Sequence, residues 1–524
     1  MKNLISKPIY CAASLLLFWG CSENTLDDIN RDNNNANDVS AKSILADVIT
    51  NTAFSNIGGD INTYTSTFVE HETGIHNQLY YSDIRQSLSV PSVLNNAWRS
   101  LYGTIKDARI AVDKCSDGGS EKGNYPTKGI AQVLLALNSA ILTDNFGDVP
   151  YSQAAVLTED KLPKYMTPKI DKQQDIYDEI FKLLDDAVVN LNKADESGVG
   201  SMGTYDFLYK GNVGNWTKLA YGLKARYTMQ KLLRSANQNA DLEKVLEYVE
   251  KSFKSATEQA AFNVYDAANL NPFFDFQWSR NALAASESLS KKLIARNDPR
   301  LKRVFFDKDW QRVSSNTNSN FYMAPNGKAE QLQEHYNTSV FVYAQTASTM
   351  LMSYHELLFL KAEALARLSK PEASQALEEA IIAAVANAEK SIATALAAPS
   401  LQKYGGLTES TSPLQTAEIQ SYFETSVKPL FTANPVKEVM VQKYLATFGA
   451  SGESQIAFND IRRLRALGEA DFIELQNPKN NEGLFPLRCI YGSSDTTTNV
   501  NVREAAGNGR YIYTENVWWA GGNR

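Results

Sequence analysis

The sequence has few cysteines and few histidines, and both shortages narrow the possible functions. Only four cysteines occur in 524 residues, at Cys11, Cys21, Cys115 and Cys489. A disulfide framework is therefore excluded, and the sequence leaves open whether Cys115 and Cys489 pair. The four histidines are too few and too scattered for a His-based metal centre, so we predict no metal site.

The motifs of common enzyme classes are also missing. His71 and His76 resemble part of a zinc-protease helix, but that site needs a spacing of four residues, and here the spacing is five. No G-x-S-x-G esterase motif occurs. Gly118 and Gly123 have the spacing of a phosphate-binding loop, but Asn124 stands where lysine is required. We therefore predict no catalytic residues and no cofactor.

Paired acids are the remaining route to catalysis. A glycosidase needs two carboxyl groups about 5–9.5 Å apart, whereas the adjacent acids Asp185 and Asp186 would point apart on a helix. Such adjacent acids indicate side chains on the solvent-exposed surface. A surface glycoside hydrolase remains an alternative function. Asp-rich loops can bind calcium through oxygen ligands, but no EF-hand pattern is present, so no calcium site is predicted.

Positive charge is in the minority. The chain has 52 basic and 59 acidic residues, which gives a net charge of −7. Residues 1–20 contain two lysines and no acid, so their removal would leave 50 − 59 = −9. A surplus of negative charge argues against nucleic acid as a partner.

The first residues, 1–20, have the order of a secretory signal peptide. Lysines precede an apolar run, Ile9–Trp19, and Gly20-Cys21 follows. The run is too short to span a bilayer, which needs about 20 residues. A cysteine after a small residue at the cleavage point predicts a lipoprotein acylated at Cys21. Phe18 and Trp19 stand where lipoprotein signals usually have leucine and a small residue. The alternative is a plain secreted protein.

The segment that follows the cysteine is polar. Residues 21–40 are acidic and rich in asparagine, so they cannot form a core. We predict a lipidated, flexible stalk over 21–40 that joins the lipid to a single domain over 41–524. The alternative is a surface arm that packs on the domain.

Helical periodicity dominates after residue 40, because apolar residues recur at intervals of three and four. The segment 130–146 is mostly apolar, and Gly147 and Pro150 are expected to end its helix. Strand-like alternation is confined to Ser339–Tyr343 and Leu487–Tyr491. We predict an all-α fold of paired helices. Irregular, loop-rich inserts are expected near 260–280, 305–345 and 470–524.

Aromatic residues are abundant, with 25 Tyr, 22 Phe and 7 Trp. A sugar binds by laying its apolar C–H face on an aromatic plane, while its hydroxyls bond to polar side chains. Rings that do this must lie in loops, because rings on apolar helix faces, such as those of Trp98, Tyr102 and Trp216, pack in the core. The alternative for each loop ring is that it folds back on the domain. The loop candidates are Tyr80, Tyr81, Phe273, Phe274, Trp278, Trp310 and Tyr322, with Asn77, Gln78, Asn271, Asp275, Gln277 and Arg280 as polar neighbours.

Seven segments along the chain have sequences typical of one protein family. The most distinctive is LTDNFGDVPYSQA, Leu142–Ala154. The other six are PKIDKQQDIYDEIFKLLDDAVVNL (168–191), YKGNVGNWTKLAYGLKARY (209–227), NDPRL (297–301), SYHELLFLKAEALAR (353–367), VQKYLATFG with FNDIRR (441–463) and VWWAGG (517–522). Within the segment 209–227, Asn212 and Tyr221-Gly222 differ from the residues that are usual in that family.

This ordered set resembles the SusD/RagB family of outer-membrane nutrient-binding lipoproteins, in its SusD-like subgroup. The resemblance implies an all-α, tetratricopeptide-like scaffold of helix pairs that performs no catalysis. It also implies a cell-surface position over a SusC-like TonB-dependent barrel, to which family members deliver glycans or, in some cases, peptides. Three acids, Glu23, Asp27 and Asp28, resemble the family's signal for export to the outer face. Family ligand residues come from variable loops, which correspond to about 70–82 and 270–325.

We therefore expect a lipid-anchored protein of the outer membrane, facing the outside, that captures an oligosaccharide for import. Asp144, Gly147 and Asp148 are expected to form a helix stop and a turn rather than to bind ligand. The rival interpretations are a peptide-binding importer of the same fold, a surface hydrolase with two facing carboxylates, and a structural lipoprotein with no pocket. The residues expected to bind ligand are Trp278, Phe274, Tyr80 and Tyr81 as stacking platforms, and Asn77, Gln78 and Arg280 as hydrogen-bond partners.

Overall fold

The computed structural model of the protein describes residues 39–158 and 162–523. The predicted signal peptide, the lipidation site Cys21 and nearly all of the predicted stalk lie outside the described residues. Helices make up 56% of the structure and strands 6%, which confirms an all-α fold. Residues 41–524 form one compact unit.

The long helices form the scaffold, and most of the short helices belong to the inserts. A π-helical turn, Thr52–Ile57, continues the first helix. In chain order the helices are α1 Ala41–Asn51, α2 Asp60–Phe68, α3 Asn77–Asp83, α4 Asn95–Lys114, α5 Tyr125–Phe146, α6 Gln173–Leu191, α7 Val213–Gln230, α8 Gln238–Lys251, α9 Pro272–Arg280, α10 Glu287–Ala295, α11 Leu301–Val304, α12 Tyr354–Arg367, α13 Ala373–Leu396, α14 Pro399–Gln402, α15 Thr416–Tyr422, α16 Lys428–Ala433, α17 Pro435–Ala446, α18 Ser454–Ala466, α19 Ser493–Thr498, α20 Val500–Ala506 and α21 Tyr511–Thr514.

Strands are short, and within the described residues they pair antiparallel in four small sheets. The alternation at Ser339–Tyr343 predicted a longer strand than the structure has, because Val340–Tyr343 form a 3-10 turn whose first three side chains are all buried. Leu487–Tyr491 is not a strand. The pairs are β1 Glu72–Gly74 with β5 Leu283–Ala285, β2 Val149–Pro150 with β3 Ile170–Asp171, β4 Ala260–Phe262 with β9 Thr349–Met352, and β6 Phe305–Phe306 between β7 Arg312–Val313 and β8 Thr338–Ser339.

Consecutive long helices pack side by side, α4 on α5, α5 on α6, α6 on α7 and α7 on α8. A second group of α12, α13 and α17 packs around Phe359, Leu377 and Val439, and α8 contacts α12 to join the two groups. The predicted tetratricopeptide-like pairing is confirmed. The stretch Ala373–Gln402 is long and apolar enough to span a membrane by composition, but its Leu377 face is buried as in a core helix.

Helix α5 is buried on all sides from Ile130 to Phe146, which places it at the centre of the scaffold. The Asn124 side chain caps its start by accepting a bond from the Thr127 backbone N–H at 3.4 Å. Gly147 ends it with a φ of 79°. A Cβ atom there would lie 2.6 Å from Nη1 of Arg488, so glycine is required both by conformation and by space. The predicted helix stop is confirmed.

Asp144 joins α5 to three of the family-like segments. Its Oδ1 accepts bonds from the Tyr177 hydroxyl at 2.6 Å and Trp519 Nε1 at 3.0 Å, and its Oδ2 accepts one from Asn459 Nδ2 at 3.2 Å. Arg462 donates to the Asp144 backbone carbonyl at 2.8 Å. Burial raises the pKa of Asp144 to about 6, although these donors oppose the rise. The expected structural role of Asp144 is confirmed.

Buried ion pairs join three of the family-like segments, 209–227, 353–367 and 441–463. Arg463 donates to both oxygens of Glu363, at 2.6 and 2.8 Å, and Arg226 does the same to Glu356, at 2.7 and 2.6 Å. Burial opposes ionisation of Glu363, but the charges of Arg463 and Arg367 hold its pKa well below the usual range. Loss of one partner from such a pair costs about 3–5 kcal/mol of stability, because a charge is left buried and unpaired.

The two remaining cysteines form no disulfide. Cys115 and Cys489 are both free and buried, which answers the question that the sequence left open. Burial raises the pKa of each thiol to about 12. Because the thiolate is the reactive form of cysteine, neither side chain is suited to nucleophilic or redox chemistry.

A buried carboxyl in β1 gives the domain a pH-dependent stability. Glu72 is fully buried and accepts a bond from the Ser339 hydroxyl at 2.5 Å, and burial raises its pKa from 4.5 to about 8. The folded chain therefore keeps a proton that the unfolded chain releases. We predict that the free energy of unfolding falls by roughly 1.4 kcal/mol per pH unit from this group between about pH 5 and 8. The Glu72→Gln protein should lack this contribution.

Denaturant unfolding at pH 5, 6.5 and 8 measures the effect. The matched control is Glu504→Gln, which changes an exposed acid and should keep the wild-type dependence. Identical pH profiles for Glu72→Gln and wild type would contradict the prediction.

Candidate ligand-binding site

Helix α9 forms the wall of the candidate site. The Asn271 side chain starts it by accepting a bond from the backbone N–H of Phe273 at 2.9 Å, and Pro272 is in its first turn. Asn281 ends it in a left-handed conformation, with a φ of 44°. The expectation that this segment is a loop was wrong. Its aromatic run does not alternate between an apolar and a polar face as an amphipathic helix does. However, Asn271-Pro272 at its start and Asn281 at its end are typical helix boundaries.

The two faces of α9 have different chemistry. A helix of 3.6 residues per turn advances about 100° per residue, so Trp278 lies only about 40° from Phe274 around the helix axis and about 160° from Phe276. The two faces border different cavities. The first face carries Phe274, Gln277 and Trp278, and the second carries Pro272, Asp275, Phe276 and Arg280.

Phe274 is not a stacking platform for a ligand, and that prediction was wrong. Its side chain is 0% exposed. Its ring lies parallel to that of Trp278, with 5.6 Å between centroids and 14° between planes. Phe274 therefore fills the core beneath Trp278 and supports it, while Trp278 is 38% exposed and can offer a ring to a ligand.

An open cleft of about 450 Å³ lies beside Trp278, within the usual size range of small-molecule sites. Tyr404, which is 72% exposed, has its ring centroid 6.1 Å from that of Trp278 and 6.5 Å from that of Trp310. The plane of the Tyr404 ring meets that of Trp278 at 46° and that of Trp310 at 79°. The three rings therefore form a curved wall rather than a flat one. The other lining residues are Gln277, Asn281, Lys308, Glu334, Tyr336, Thr338 and Tyr343.

Trp310 is held in an unusual backbone conformation, with a φ of 57°. Its N–H donates to the Asp307 carbonyl at 3.0 Å, and its own carbonyl accepts from Thr408 N–H at 3.0 Å. A positive φ is strained for a bulky residue and persists where the surroundings impose it, often at ligand sites. The Thr408 bond also ties the segment after Tyr404 to the Trp310 loop, which brings the two rings together.

Tyr404 lines the cleft but is not among the residues predicted from the sequence. It lies in the turn after α14 and directly precedes Gly405 and Gly406, which have φ values of 100° and 72°. The available signal was an aromatic residue beside two consecutive glycines in a polar stretch, since such a turn exposes its side chains. Trp310 was recognised as a loop candidate, and the structure places it in the cleft.

The polar groups of the cleft differ in availability. The Gln277 amide already hydrogen-bonds to the backbone. Its Oε1 accepts from the N–H groups of Ala282 and Leu283 at 3.1 and 2.9 Å, and its Nε2 donates to the Leu283 carbonyl at 3.1 Å. Lys308 and Glu334 are exposed at the rim. Glu334 is the one carboxylate among the lining residues, so the cleft does not present the two facing acids that a glycosidase uses.

The other predicted ligand residues lie outside this cleft. Tyr80 and Tyr81 pack edge to face on α3, with centroids 5.5 Å apart, and neither lines the cleft. Asn77 is exposed at the start of the same helix. Gln78 and Arg280 line a separate cavity on the opposite side of α9. Of the seven predicted residues, the cleft therefore contains Trp278 only, and the ligand roles of the other exposed residues stay predictions.

Tyr322 lies next to the cleft rather than in it. It is half exposed, and its ring stacks on that of Tyr336, with centroids 5.2 Å apart and planes at 24°. Tyr336 lines the cleft, so the insert that carries Tyr322 supports one edge of the site. Within the described residues, no group of three or more potential metal-ligating side chains is present.

A scaffold of paired helices whose inserts form an open aromatic cleft is the architecture of a ligand-binding protein. The family pattern named SusD-like, described as "Starch-binding associating with outer membrane", matches residues 33–492. The chain belongs to this family, which confirms the resemblance seen in the sequence. The family description also places the protein in association with the outer membrane.

Solved structures share the fold. A SusD/RagB family protein from Bacteroides thetaiotaomicron VPI-5482 has a TM-score of 0.87 and 49% identity, covering 93% of this chain and 100% of that one. A chitin-binding protein has a TM-score of 0.70 at 21% identity, covering 92% and 100%. A chitin-binding SusD homolog from Flavobacterium johnsoniae has 0.64 at 17%, covering 92% and 98%. The last two show a likeness of fold alone. No curated protein matches the chain.

The buried and exposed rings of the site should differ in their effect on stability. We predict that Phe274→Ala lowers the free energy of unfolding by about 3–5 kcal/mol, because it leaves a cavity in the core. Tyr404→Ala should change it by no more than about 0.5 kcal/mol, because that side chain is mostly in solvent. Urea unfolding of both proteins measures this, and a Tyr404→Ala protein as unstable as Phe274→Ala would contradict the assignment.

Proposed function

We propose that this protein is a cell-surface lipoprotein that captures oligosaccharides in the aromatic cleft and delivers them to a SusC-like TonB-dependent transporter. The observation that carries the proposal is the set of three partly exposed rings, Trp278, Trp310 and Tyr404, around one open cleft. The C–H faces of sugars stack on such rings. Because the rings are set at different angles, the wall can contact successive sugar units of one chain.

The remaining lining supports the same ligand class. Lys308, Glu334, Asn281 and Thr338 lie beside the rings and can bond to sugar hydroxyls. The family description names starch, and two proteins of similar fold are named as chitin-binding. These names refer to different glycans, so the proposed ligand is an oligosaccharide without a stated linkage. A peptide-binding importer is the alternative, but the cleft offers ring faces rather than a row of backbone hydrogen-bond groups.

We propose binding without catalysis or cofactor. Capture by stacking and hydrogen bonding requires no metal ion, and no calcium is needed to form the aromatic wall. Hydrolysis of a glycosidic bond requires a second carboxylate opposite Glu334, and none is among the residues that line the cleft. The glycoside hydrolase alternative therefore has no support from this site.

The proposed location follows from the N-terminus. A lipid on Cys21 would anchor the protein in the outer membrane with the domain facing the outside. Residues 22–40 are polar and, fully extended, would reach roughly 65 Å at about 3.3–3.6 Å per residue. That length would let the domain sit over a barrel and still move relative to it.

The cleft assignment predicts which rings matter for affinity. Trp278→Ala and Tyr404→Ala should each weaken oligosaccharide binding by about 1–3 kcal/mol, by analogy with base stacking on aromatic side chains. Isothermal titration against a panel that includes malto- and chito-oligosaccharides measures this. Tyr205→Ala, an exposed tyrosine outside the cleft, is the matched control and should bind as wild type does.

The same titration distinguishes a ligand bound in the aromatic cleft from a ligand bound over the residues on α3. If Tyr81→Ala weakens binding while Trp278→Ala and Tyr404→Ala bind normally, the ligand lies over α3 and the cleft assignment is wrong.

The import role predicts a partner. A tagged full-length protein, recovered from detergent-solubilised outer membrane, should bring a large TonB-dependent barrel with it in near-equal amount, as mass spectrometry would show. The Cys21→Ser protein should not fractionate with the membrane. Repeated recovery of the wild-type protein alone in mild detergent would contradict delivery to a barrel.

A further inference from the structure

A cluster of charged side chains joins the two segments that carry Trp310 and Tyr404. Arg312 lies two residues after Trp310, and Glu409 lies five residues after Tyr404. The guanidinium of Arg312 donates from Nε to Oε1 of Glu409 at 3.2 Å and from Nη2 to Oε2. Such a two-bonded pair fixes the relative orientation of its partners as well as their distance. Neither charged residue lines the cleft.

A second arginine extends the cluster. Arg303, which is 1% exposed, donates from Nη1 to Oε2 of Glu409 at 2.7 Å. Oε1 of Glu409 also accepts from the backbone N–H of Thr411 at 2.7 Å. Burial opposes ionisation of Glu409, but the Thr411 N–H and Arg312 hold its pKa below the usual range. Glu409 therefore stays charged and connects its own segment to α11 and β7.

The loop that carries Trp310 is braced by its own bonds. Oδ1 of Asp307 accepts from the N–H groups of Asp309 and Gln311, both at 2.9 Å, and the Asp307 N–H donates to the Gln311 carbonyl at 3.0 Å. The loop therefore behaves as one unit. Its own bonds fix its shape, but they do not fix its position relative to Tyr404.

Tyr404 is placed by a different element. Its N–H donates to the Leu401 carbonyl at 2.8 Å, and the Gly406 N–H donates to the same carbonyl at 3.0 Å, so the turn closes on the end of α14. The position of Tyr404 is therefore set by α14 rather than by Glu409. Contacts made beyond Gly406 hold the Trp310 loop against Tyr404.

Those contacts differ in strength. The Thr408 N–H donates to the Trp310 carbonyl at 3.0 Å, and Gln311 Nε2 donates to the Thr408 hydroxyl at 3.1 Å. Thr408 and Gln311 are exposed, so water competes for these bonds. The partner of Glu409 is shielded from water, because Arg312 is 6% exposed. A charged bond to a buried guanidinium is the stronger constraint.

We propose that Glu409 is a positioning residue for oligosaccharide binding, because its bonds to Arg312 and Arg303 hold the Trp310 ring at its angle to Tyr404. That angle is 79°, with 6.5 Å between the ring centroids. Trp310 has a φ of 57°, which a bulky residue adopts only where its surroundings impose it. Loss of the bonds lets the Trp310 backbone relax and moves the ring out of the wall. The inference rests on the proposed function, since it assigns the residue that positions one ring of that site.

Glu389 provides a matched control. It accepts from Nε and Nη2 of Arg303 at 2.9 and 2.8 Å, so it belongs to the same cluster. Within the described residues, its bonds go to Arg303 and to the Leu414 N–H rather than to the Trp310 loop. An effect common to Glu389→Gln and Glu409→Gln therefore reflects the stability of the cluster. An effect of Glu409→Gln alone reflects the position of the loop.

The first test is isothermal titration of the mature chain with maltohexaose and with chitohexaose. Glu409→Gln should weaken binding of the hexasaccharide that wild type binds by about tenfold, the scale of one lost stacking contact. Glu389→Gln should bind as wild type does. In a Trp310→Ala background, Glu409→Gln should have no further effect, because it acts through that ring. Arg312→Lys keeps the charge but not the two-bonded geometry, so it should weaken binding in the same way and replaces Glu409→Gln if that protein does not fold.

The second test is hydrogen exchange without any sugar, followed by mass spectrometry. The peptide that contains Thr408 should exchange about tenfold faster in Glu409→Gln than in wild type, because the Thr408 N–H loses its bond to Trp310 whenever the loop moves away. Exchange of the same peptide should be unchanged in Glu389→Gln.

Three results would overturn the assignment of Glu409. They are equal exchange of the Thr408 peptide in all three proteins, an equal loss of affinity in both glutamate variants, and an effect of Glu409→Gln that persists in the Trp310→Ala background. Normal binding by Glu409→Gln together with weakened binding by Trp278→Ala would also overturn it and leave the proposed function intact. If neither hexasaccharide binds wild type at millimolar concentration, the proposed function fails and this inference fails with it.

Discussion

The buried carboxylate of Asp144 fixes the relative positions of segments that lie far apart in the chain. A carboxylate without bonded partners would be too costly to bury, so donors from α6, α18 and the C-terminal segment must converge on the last turn of α5. This requirement explains why LTDNFGDVPYSQA, FNDIRR and VWWAGG occur together in one sequence. The Arg463–Glu363 and Arg226–Glu356 pairs extend the same constraint to α7 and α12.

The scaffold matters for function because it positions α9. Strand β5 follows α9 almost directly and pairs with β1, while the Gln277 side chain closes the turn between α9 and β5. The helix is therefore held at both ends, by Asn271 at its start and by this turn at its end. Phe274 packs beneath Trp278 and fixes the position of its ring. The opposite face of α9 borders a separate cavity.

Much of the fold could be predicted from the sequence. The α5 stop at Gly147 and the structural role of Asp144 followed from local patterns, because capping and turn chemistry act over a few residues. The site was harder. Phe274 and Trp278 share one aromatic run, and only tertiary packing determines that Phe274 is inside and Trp278 outside. Tyr404 was missed because its role depends on Trp310, which is distant in sequence. The two segments are joined by the Thr408–Trp310 backbone hydrogen bond and by the ion pairs of Arg303 and Arg312 with Glu409.

The proposed function depends on the aromatic cleft beside α9 as the capture site for an oligosaccharide. A crystal structure of the domain with the oligosaccharide that binds most tightly in titration tests this most directly. We expect sugar rings whose C–H faces lie within about 4 Å of Trp278 and Tyr404, with hydroxyls bonded to Lys308 or Glu334. A sugar bound over Tyr80 and Tyr81, with Trp278 and Tyr404 left in solvent, would contradict it.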